Sequence, residues 1–372
     1  MTSCEAMFTA NWVSPPGETI ADLLEEKDWS QAELAKRLGY TAKHVSQLIN
    51  GKVPLTDDTA LRLERVLGGG VSFWMSREAQ YQEQLARLAA RERLGRWTGW
   101  LDELPTRELM KAGAISKRRL DAKNKPAVIE ELLRFFGVAS PDEWLSHYVG
   151  MQIAYRRTRE EQSDTGAISA WLRLGEIEAE HLAASKYDKA RFVATLRKIR
   201  ALTVLPPEVF EPQLRALCRA AGVTFVLVPA LPRAHVSGVA RWLNSHRPLI
   251  QLSLYGKSND RFWFTFFHEA AHILLHGKEA VFLDELVGDR LESVQEREAD
   301  EWAQDALIPR EYINELPFLR SKGAVRAFAD RIGVHPGIVV GRLQHDAVIP
   351  RSWMNDLKDC VQLQSPAVAE SG

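Results

Sequence analysis

The sequence predicts a mainly α-helical protein with a small β-sheet: an N-terminal all-α domain, a helical middle region and an α+β C-terminal domain. Three observations carry that expectation. Through residues 17–95, apolar side chains recur at helical spacing between strong caps and stops. Residues 97–210 keep helical patterning but are broken by Gly99, Pro105, Gly113, Pro126, Gly137 and Pro141. Beyond Glu208, short runs of β-branched and apolar residues alternate with helical segments. The expected domains are 12–95, 96–207 and 208–355, followed by a loose tail over 356–372.

The elements follow in order. In GETIADLLEEKD, Ile20, Leu23 and Leu24 share one helical face. Ser30 precedes QAELAKRL, with Glu33 three residues on, a capping box, and Gly39 ends that helix. Thr41 can cap AKHVSQLIN, which stops at Gly51; Thr56 or Asp57 opens DTALRLERVLG; a longer helix spans about 73–93. In the middle region, the polar segment RRTREEQSDTG (156–166) reads as an exposed loop and residues 168–202 as strongly helical, with Pro206-Pro207 as a boundary. EVFEPQLRALCRAAG is a helix ended by Gly222, and VTFVLVP, residues 238–243 and PLIQLSL (248–254) are strands. Asn259 or Asp260 opens a helix through RFWFTFFHEAAHILLHG, and another helix covers Val294–Leu307, stopped by Pro309. The last part is helical again. It holds a second helix-turn-helix-like stretch, AVRAFADRIGVHPGIVVGRLQ, which Ile338, Val339 and Val340 assign to the C-terminal core because they are so apolar.

Composition narrows the function classes. The chain has 372 residues, 45% hydrophobic and 26% charged, with a net charge of −1, so no global field attracts a nucleic acid or a membrane. Any such partner has to be met by a local patch. The three cysteines, Cys4, Cys218 and Cys360, are far apart and form no CxxC pair, which argues against a disulfide framework or a cysteine zinc site. No basic-then-apolar leader and no membrane-length apolar run is present, so a cytoplasmic protein with no membrane partner is expected.

The apolar helix contains His268-Glu269-Ala270-Ala271-His272. Imidazoles at i and i+4 lie a turn apart on one face and can reach one metal ion. Glu269 beside them can take a proton from a water that the metal activates. Phe262, Trp263, Phe264, Phe266 and Phe267 precede the motif and Ile273, Leu274 and Leu275 follow it, surroundings in which unused polar groups are costly. Chance yields this five-residue pattern in roughly a few per cent of such chains, so a third ligand decides. About two dozen residues on lies Glu296-Arg297-Glu298-Ala299-Asp300. Glu296 can complete a two-histidine, one-glutamate zinc site, and Asp300, one turn later, can hold a ligand histidine through its other ring nitrogen. Glu298 competes as the ligand but points about 200° from Glu296, so Glu296 is preferred.

His276 reads as a helix-end residue. His335 and Tyr312 are possible donors to a tetrahedral intermediate, with turn and packing roles as the plainer readings. PLIQLSL is expected as an edge strand able to take up an extended peptide. Two other readings stay open: a packed histidine pair beside an acidic surface helix, and a zinc site without turnover that serves as sensor or scaffold.

FTFFHEAAHILLHG followed by EREADEWAQDALIP resembles the ImmA/IrrE family of metallopeptidases over about residues 214–350. The resemblance implies a gluzincin-like zinc domain with His268, His272 and Glu296 as ligands and Glu269 as base. It also implies regulated cleavage of a protein partner, a helix-turn-helix repressor. Departures from the family pattern are mild: Asp300 where Asn is common, Trp302 where Phe is common, and LIP at 307–309 where LLMP is common.

SQAELAKRLGYTAKHVSQLINGK (30–52) is helix, short turn, helix. Leu34, Ala35, Leu38, Val45, Leu48 and Ile49 form the inner faces. Thr41, Lys43, His44, Ser46, Gln47 and Asn50 face outward, a hydrogen-bonding surface suited to the major groove, and Lys36, Arg37 and Lys52 flank it as phosphate contacts. Against this, residues 1–100 carry 12 Lys+Arg and 13 Asp+Glu, unusual for a strong DNA binder, and a protein-interaction bundle shows similar patterning. Residues 12–90 resemble the Xre/HigA-type antitoxin and repressor family, which implies binding of operator double-stranded DNA as a homodimer. The combined expectation is a DNA-binding transcriptional regulator with a zinc (Zn2+) peptidase domain acting on a repressor or toxin partner. The alternative is a HigA-like antitoxin whose zinc domain is a non-catalytic sensor or interaction module. The middle region would connect the two and is a candidate sensor.

Overall fold

Helices α1 (Pro16–Glu26), α2 (Gln31–Leu38), α3 (Ala42–Ile49), α4 (Asp57–Leu67) and α5 (Val71–Arg96) build the first of two units, 1–98 and 99–372. The computed structural model describes residues 14–153, 164–182, 185–253, 258–276, 282–285 and 294–361. The short helices of the first unit owe their limits to local chemistry. Ser30 Oγ accepts from the Glu33 amide (3.2 Å), Thr41 Oγ1 from His44 (3.2 Å) and Thr56 Oγ1 from Thr59 (3.3 Å), so Thr56 rather than Asp57 is the cap. The capping box at Ser30 is half formed, because the Glu33 carboxylate turns instead to Arg37 (2.6 Å). Gly39 ends α2 at φ +72°, a left-handed conformation that glycine adopts without strain. Ile20, Leu34, Leu38, Val45, Leu48, Leu63 and Trp74 fill the core. Burial of each such side chain contributes about 1.5–3 kcal/mol, against about 1 kcal/mol per cap, so packing dominates this unit.

The second unit begins with α6 (Thr106–Lys111), α7 (Lys125–Phe136), α8 (Pro141–Ile153), α9 (Thr165–Glu180), α10 (Lys189–Ala201) and α11 (Pro207–Ala220). The strongly helical stretch 168–202 is broken between α9 and α10, where Asp188 restarts the chain by accepting from the Arg191 amide (2.7 Å). Of the expected exposed loop, residues 156–163 lie outside the described residues. Its last residues are instead a helix start: Asp164 caps α9, accepting from Gly166 (2.9 Å) and Ala167 (3.2 Å). Pro206 and Pro207 stand at the N-terminus of α11, where a missing N–H costs nothing. Phe192, Leu196 and Ile199 before them share one core with Phe210, Leu214 and Cys218 after them.

Strands β1 (Thr224–Leu227), β2 (Val236–Asn244), β3 (Arg247–Leu252) and β4 (Phe282–Glu285) form a sheet in the order β1-β3-β2-β4. β3 pairs parallel with β1 and antiparallel with β2, and β4 pairs antiparallel with β2. PLIQLSL is therefore an interior strand, not the expected edge. Successive side chains alternate between faces. Ala240, Ile250 and Leu252 point into the core shared with α12 (Asn259–Leu275). Arg241 and Gln251 point the other way, where Arg241 donates to Leu172 O (2.7 Å) and Gln251 to Trp171 O (2.7 Å) of α9. Helix α9 thus covers the back of the sheet that carries α12 on its front.

Helices α13 (Val294–Leu307), α14 (Lys322–Ile332) and α15 (Pro336–His345) complete the unit. Ile338, Val339 and Val340 are buried in the α12 core, so the second helix-turn-helix-like stretch packs as part of this unit. Residues 356–361, expected as the start of a loose tail, are packed instead: Leu357 and Val361 are buried, and Lys358 reaches Asp260 (2.6 Å). Among the described residues, no helix is long and apolar enough to cross a membrane.

Candidate functional site

Helix α12 is buried over most of its length, as its aromatic composition demands, with Arg261 and Leu275 exposed. Within it His268, Glu269 and His272 are each at most 2% exposed. The two imidazoles point their Nε2 atoms at each other, 2.9 Å apart. Helix α13 packs beside α12 and brings Glu296 to the same point, 3.2 Å from His268 Nε2 and 3.5 Å from His272 Nε2. The three donor atoms lie within 4.8 Å of one another, a spacing and chemistry that fit one zinc ion with a coordination position left over. One turn further along α13, Asp300 Oδ1 meets His268 Nδ1 at 2.8 Å.

The electrostatics favour ligation. Burial pulls the His272 imidazole from its ordinary 6.5 down to about 4, against the opposing hydrogen bond to Glu296, so its lone pair is available at neutral pH. Burial pushes the Glu296 carboxyl up, but hydrogen bonds to His268 and His272 outweigh it and hold the group well below the usual carboxylate range. Glu269 projects from the same helix turn toward β2. A Cβ on Gly238 of β2 would stand 2.8 Å from Glu269 Oε1, so only glycine lets this strand approach so closely.

In the first unit, α2 and α3 are joined by the Gly39 turn. Lys36, Arg37, Thr41, Lys43, Asn50 and Lys52 are exposed, and His44, Ser46 and Gln47 are half-buried. Lys43, Ser46, Gln47 and Asn50 recur along α3 at helical spacing, on the side away from the buried Val45 and Leu48. Two of the expected contacts are already engaged. The Arg37 guanidinium lies 4.0 Å above the Trp29 ring and pairs with Glu33, and Asn50 Nδ2 donates to Ser46 O (2.6 Å).

Comparison with protein families matches residues 20–74 to a helix-turn-helix model and residues 226–344 to the IrrE N-terminal-like domain, a peptidase family. The chain joins a helix-turn-helix domain to an IrrE-like domain. Solved structures similar to part of the chain include an antidote protein of a plasmid maintenance system from Nostoc punctiforme. It is 34% identical over 22% of this chain and 91% of its own, with a TM-score of 0.21. The Pseudomonas aeruginosa antitoxin HigA, solved with the higBA promoter, is 29% identical over 22% and 90%, with a TM-score of 0.21. A HigA-family addiction-module antidote from Coxiella burnetii is 32% identical over 21% and 87%, with a TM-score of 0.20. No curated protein gives a significant match.

The IrrE-like domain runs from β1 to α15 and contains His268, Glu269, His272, Glu296 and Asp300. His335 stands elsewhere in it. It caps α15 by accepting from Gly337 (3.0 Å) and meets Asn259 (2.7 Å), nine residues before His268 and so about 13 Å along α12. Tyr312 packs edge-on against Phe328 beneath Arg331. Both keep the turn and packing roles that were their plainer readings. His276 does more than end the helix. Its amide closes α12 onto His272 O (3.1 Å), and its ring meets His272 Nδ1 (2.8 Å) and Glu298 Oε2 (3.3 Å). Gly238 is the residue that the sequence reading passed over, and the contacts of His276 with His272 and Glu298 go beyond its expected helix-end role. The repeat of the i+4 spacing, 268, 272, 276, was the available signal for His276.

Proposed function

We propose that this chain is a DNA-binding transcriptional regulator whose IrrE-like domain is a zinc-dependent peptidase acting on a regulatory protein partner, a repressor or toxin. The observation that carries the reading is the convergence of His268, His272 and Glu296 on one point with Glu269 fully buried in the same helix turn. When bound there, zinc supplies Lewis acidity toward a water and the scissile carbonyl. Glu269 takes the proton of that water and returns it to the leaving amine nitrogen, which needs a carboxylate within one hydrogen bond of both atoms. Asp300 fixes the ring of His268 by accepting from Nδ1, which turns Nε2 toward His272 and Glu296.

The helix-turn-helix domain supports the DNA half of the reading. Helix α3 presents Lys43, Ser46 and Gln47 to the major groove, with Lys36 and Lys52 on the backbone, and a homodimer would place two such helices on the half-sites of an operator. Glu269→Gln is the deciding variant: it should keep zinc and abolish cleavage of a partner that the wild type cuts. Unchanged cleavage would remove Glu269 as the base. Zinc and partner binding with no cleavage by the wild type would assign the domain to sensing instead.

A further inference from the structure

We infer that His276 and Glu298 form a hydrogen-bonded support behind His272, so that each ligand imidazole is held from behind by a carboxylate of α13. The inference rests on the metal-site reading above and deepens it. Residues 268, 272 and 276 stand at i, i+4 and i+8, one face of α12. The helix ends at Leu275, and His276 leaves it in an extended conformation (φ −107°, ψ 165°). That turn keeps the His276 side chain 3% exposed and lays its Nδ1 2.8 Å from Nδ1 of His272. On its far side, His276 Nε2 meets Glu298 Oε2 at 3.3 Å. Glu298 is 54% exposed, so a surface carboxylate is linked through one buried ring to a ligand.

Ligation fixes every proton in the chain. A His272 that binds through Nε2 carries its hydrogen on Nδ1 and donates it to His276 Nδ1. His276 is then the tautomer protonated on Nε2, which donates to Glu298. The same logic operates directly at His268, whose Nδ1–H donates to Asp300 (2.8 Å). Helix α13 therefore contributes three acids with three roles: Glu296 faces the metal position, Asp300 backs His268, and Glu298 backs His272 through His276. Glu298 lies off the Glu296–Asp300 face, and the C-terminal turn of α12 is what brings His276 out to meet it. Such support holds the ring in its ligating orientation and makes the imidazole a better donor. His276 and Glu298 are positioning residues: neither touches the metal position.

The test is zinc affinity, read by competition with a chromophoric chelator, in wild type, His276→Ala, Glu298→Ala and Glu298→Gln, with the visible spectrum of the cobalt(II) form as a second readout. His276→Ala should weaken zinc binding about tenfold or more, within the range for partners of this kind. Glu298→Ala should weaken it by a smaller factor. Glu298→Gln should recover part of that loss, because the amide oxygen accepts the same N–H. The cobalt bands should shift in both alanine variants. Wild-type zinc affinity and spectrum in His276→Ala and Glu298→Ala would overturn the support. A wild type that binds no zinc would overturn the metal-site reading instead. Should His276→Ala fail to fold, the Glu298 pair decides alone, since that side chain is more than half exposed.

Discussion

His272 is held neutral by burial, and that has a consequence for the metal-free protein. Its folded pKa of about 4 lies below the unfolded 6.5, so the unfolded chain takes up a proton first as pH falls. The stability tied to the neutral ring is fully present above 6.5 and is lost between 6.5 and 4, up to about 3 kcal/mol. Urea midpoints of the metal-free protein should fall across that window, and a flat profile would contradict the buried neutral ring. Gly238→Ala should hurt in a different way. The new Cβ would crowd Glu269 Oε1, Leu252 and Thr265, each at 2.8 Å, costing about 1–3 kcal/mol of stability and displacing the Glu269 carboxylate. Activity should drop while zinc content persists; full activity would show that β2 yields freely. At this scale the candidate metal residues were legible because the i, i+4 spacing and an apolar helix are local facts. Gly238 was not, because the carboxylate it accommodates comes from residue 269 on another element.

Helix α9 is tied to the sheet by a buried charge. Arg241 on β2, 3% exposed, pairs with Glu176 (2.6 Å) and donates to Leu172 O (2.7 Å). Removing Glu176 strands that guanidinium, so Glu176→Ala should destabilise the second unit by about 3 kcal/mol in urea unfolding. A loss under about 1 kcal/mol would mean that water replaces the carboxylate. Helix α3 carries the prediction for DNA. Lys43→Ala should weaken binding to all sequences and lower the salt slope by about one, whereas Gln47→Ala should relax discrimination between operators. Fluorescence anisotropy at several salt concentrations reads both, and no change in either would point to a protein-interaction bundle. Caps and strands were readable because Ser30, Thr41 and the β-branched runs act locally. Strand order was not, since nothing within PLIQLSL says which neighbours it finds. FLDE is too short to show a period, and the break after α9 depends on a single capping aspartate, Asp188.

Across the whole molecule, the two family matches leave residues 75–225 between them unassigned. Much of that stretch belongs with the IrrE-like domain physically: Trp171, Leu172 and Glu176 of α9 bond to the back of the sheet whose front carries α12. The sequence showed three regions because composition changes at Pro206-Pro207. The fold shows a shared core across that point, because Phe192 and Ile199 bury against elements that follow it. The most direct test of a metal centre at His268, His272 and Glu296 is elemental analysis of the purified chain. Wild type should carry about one zinc per chain, lost on changing His272 to Ala. A wild type free of metal, or a His272→Ala variant that keeps its full zinc, would contradict it.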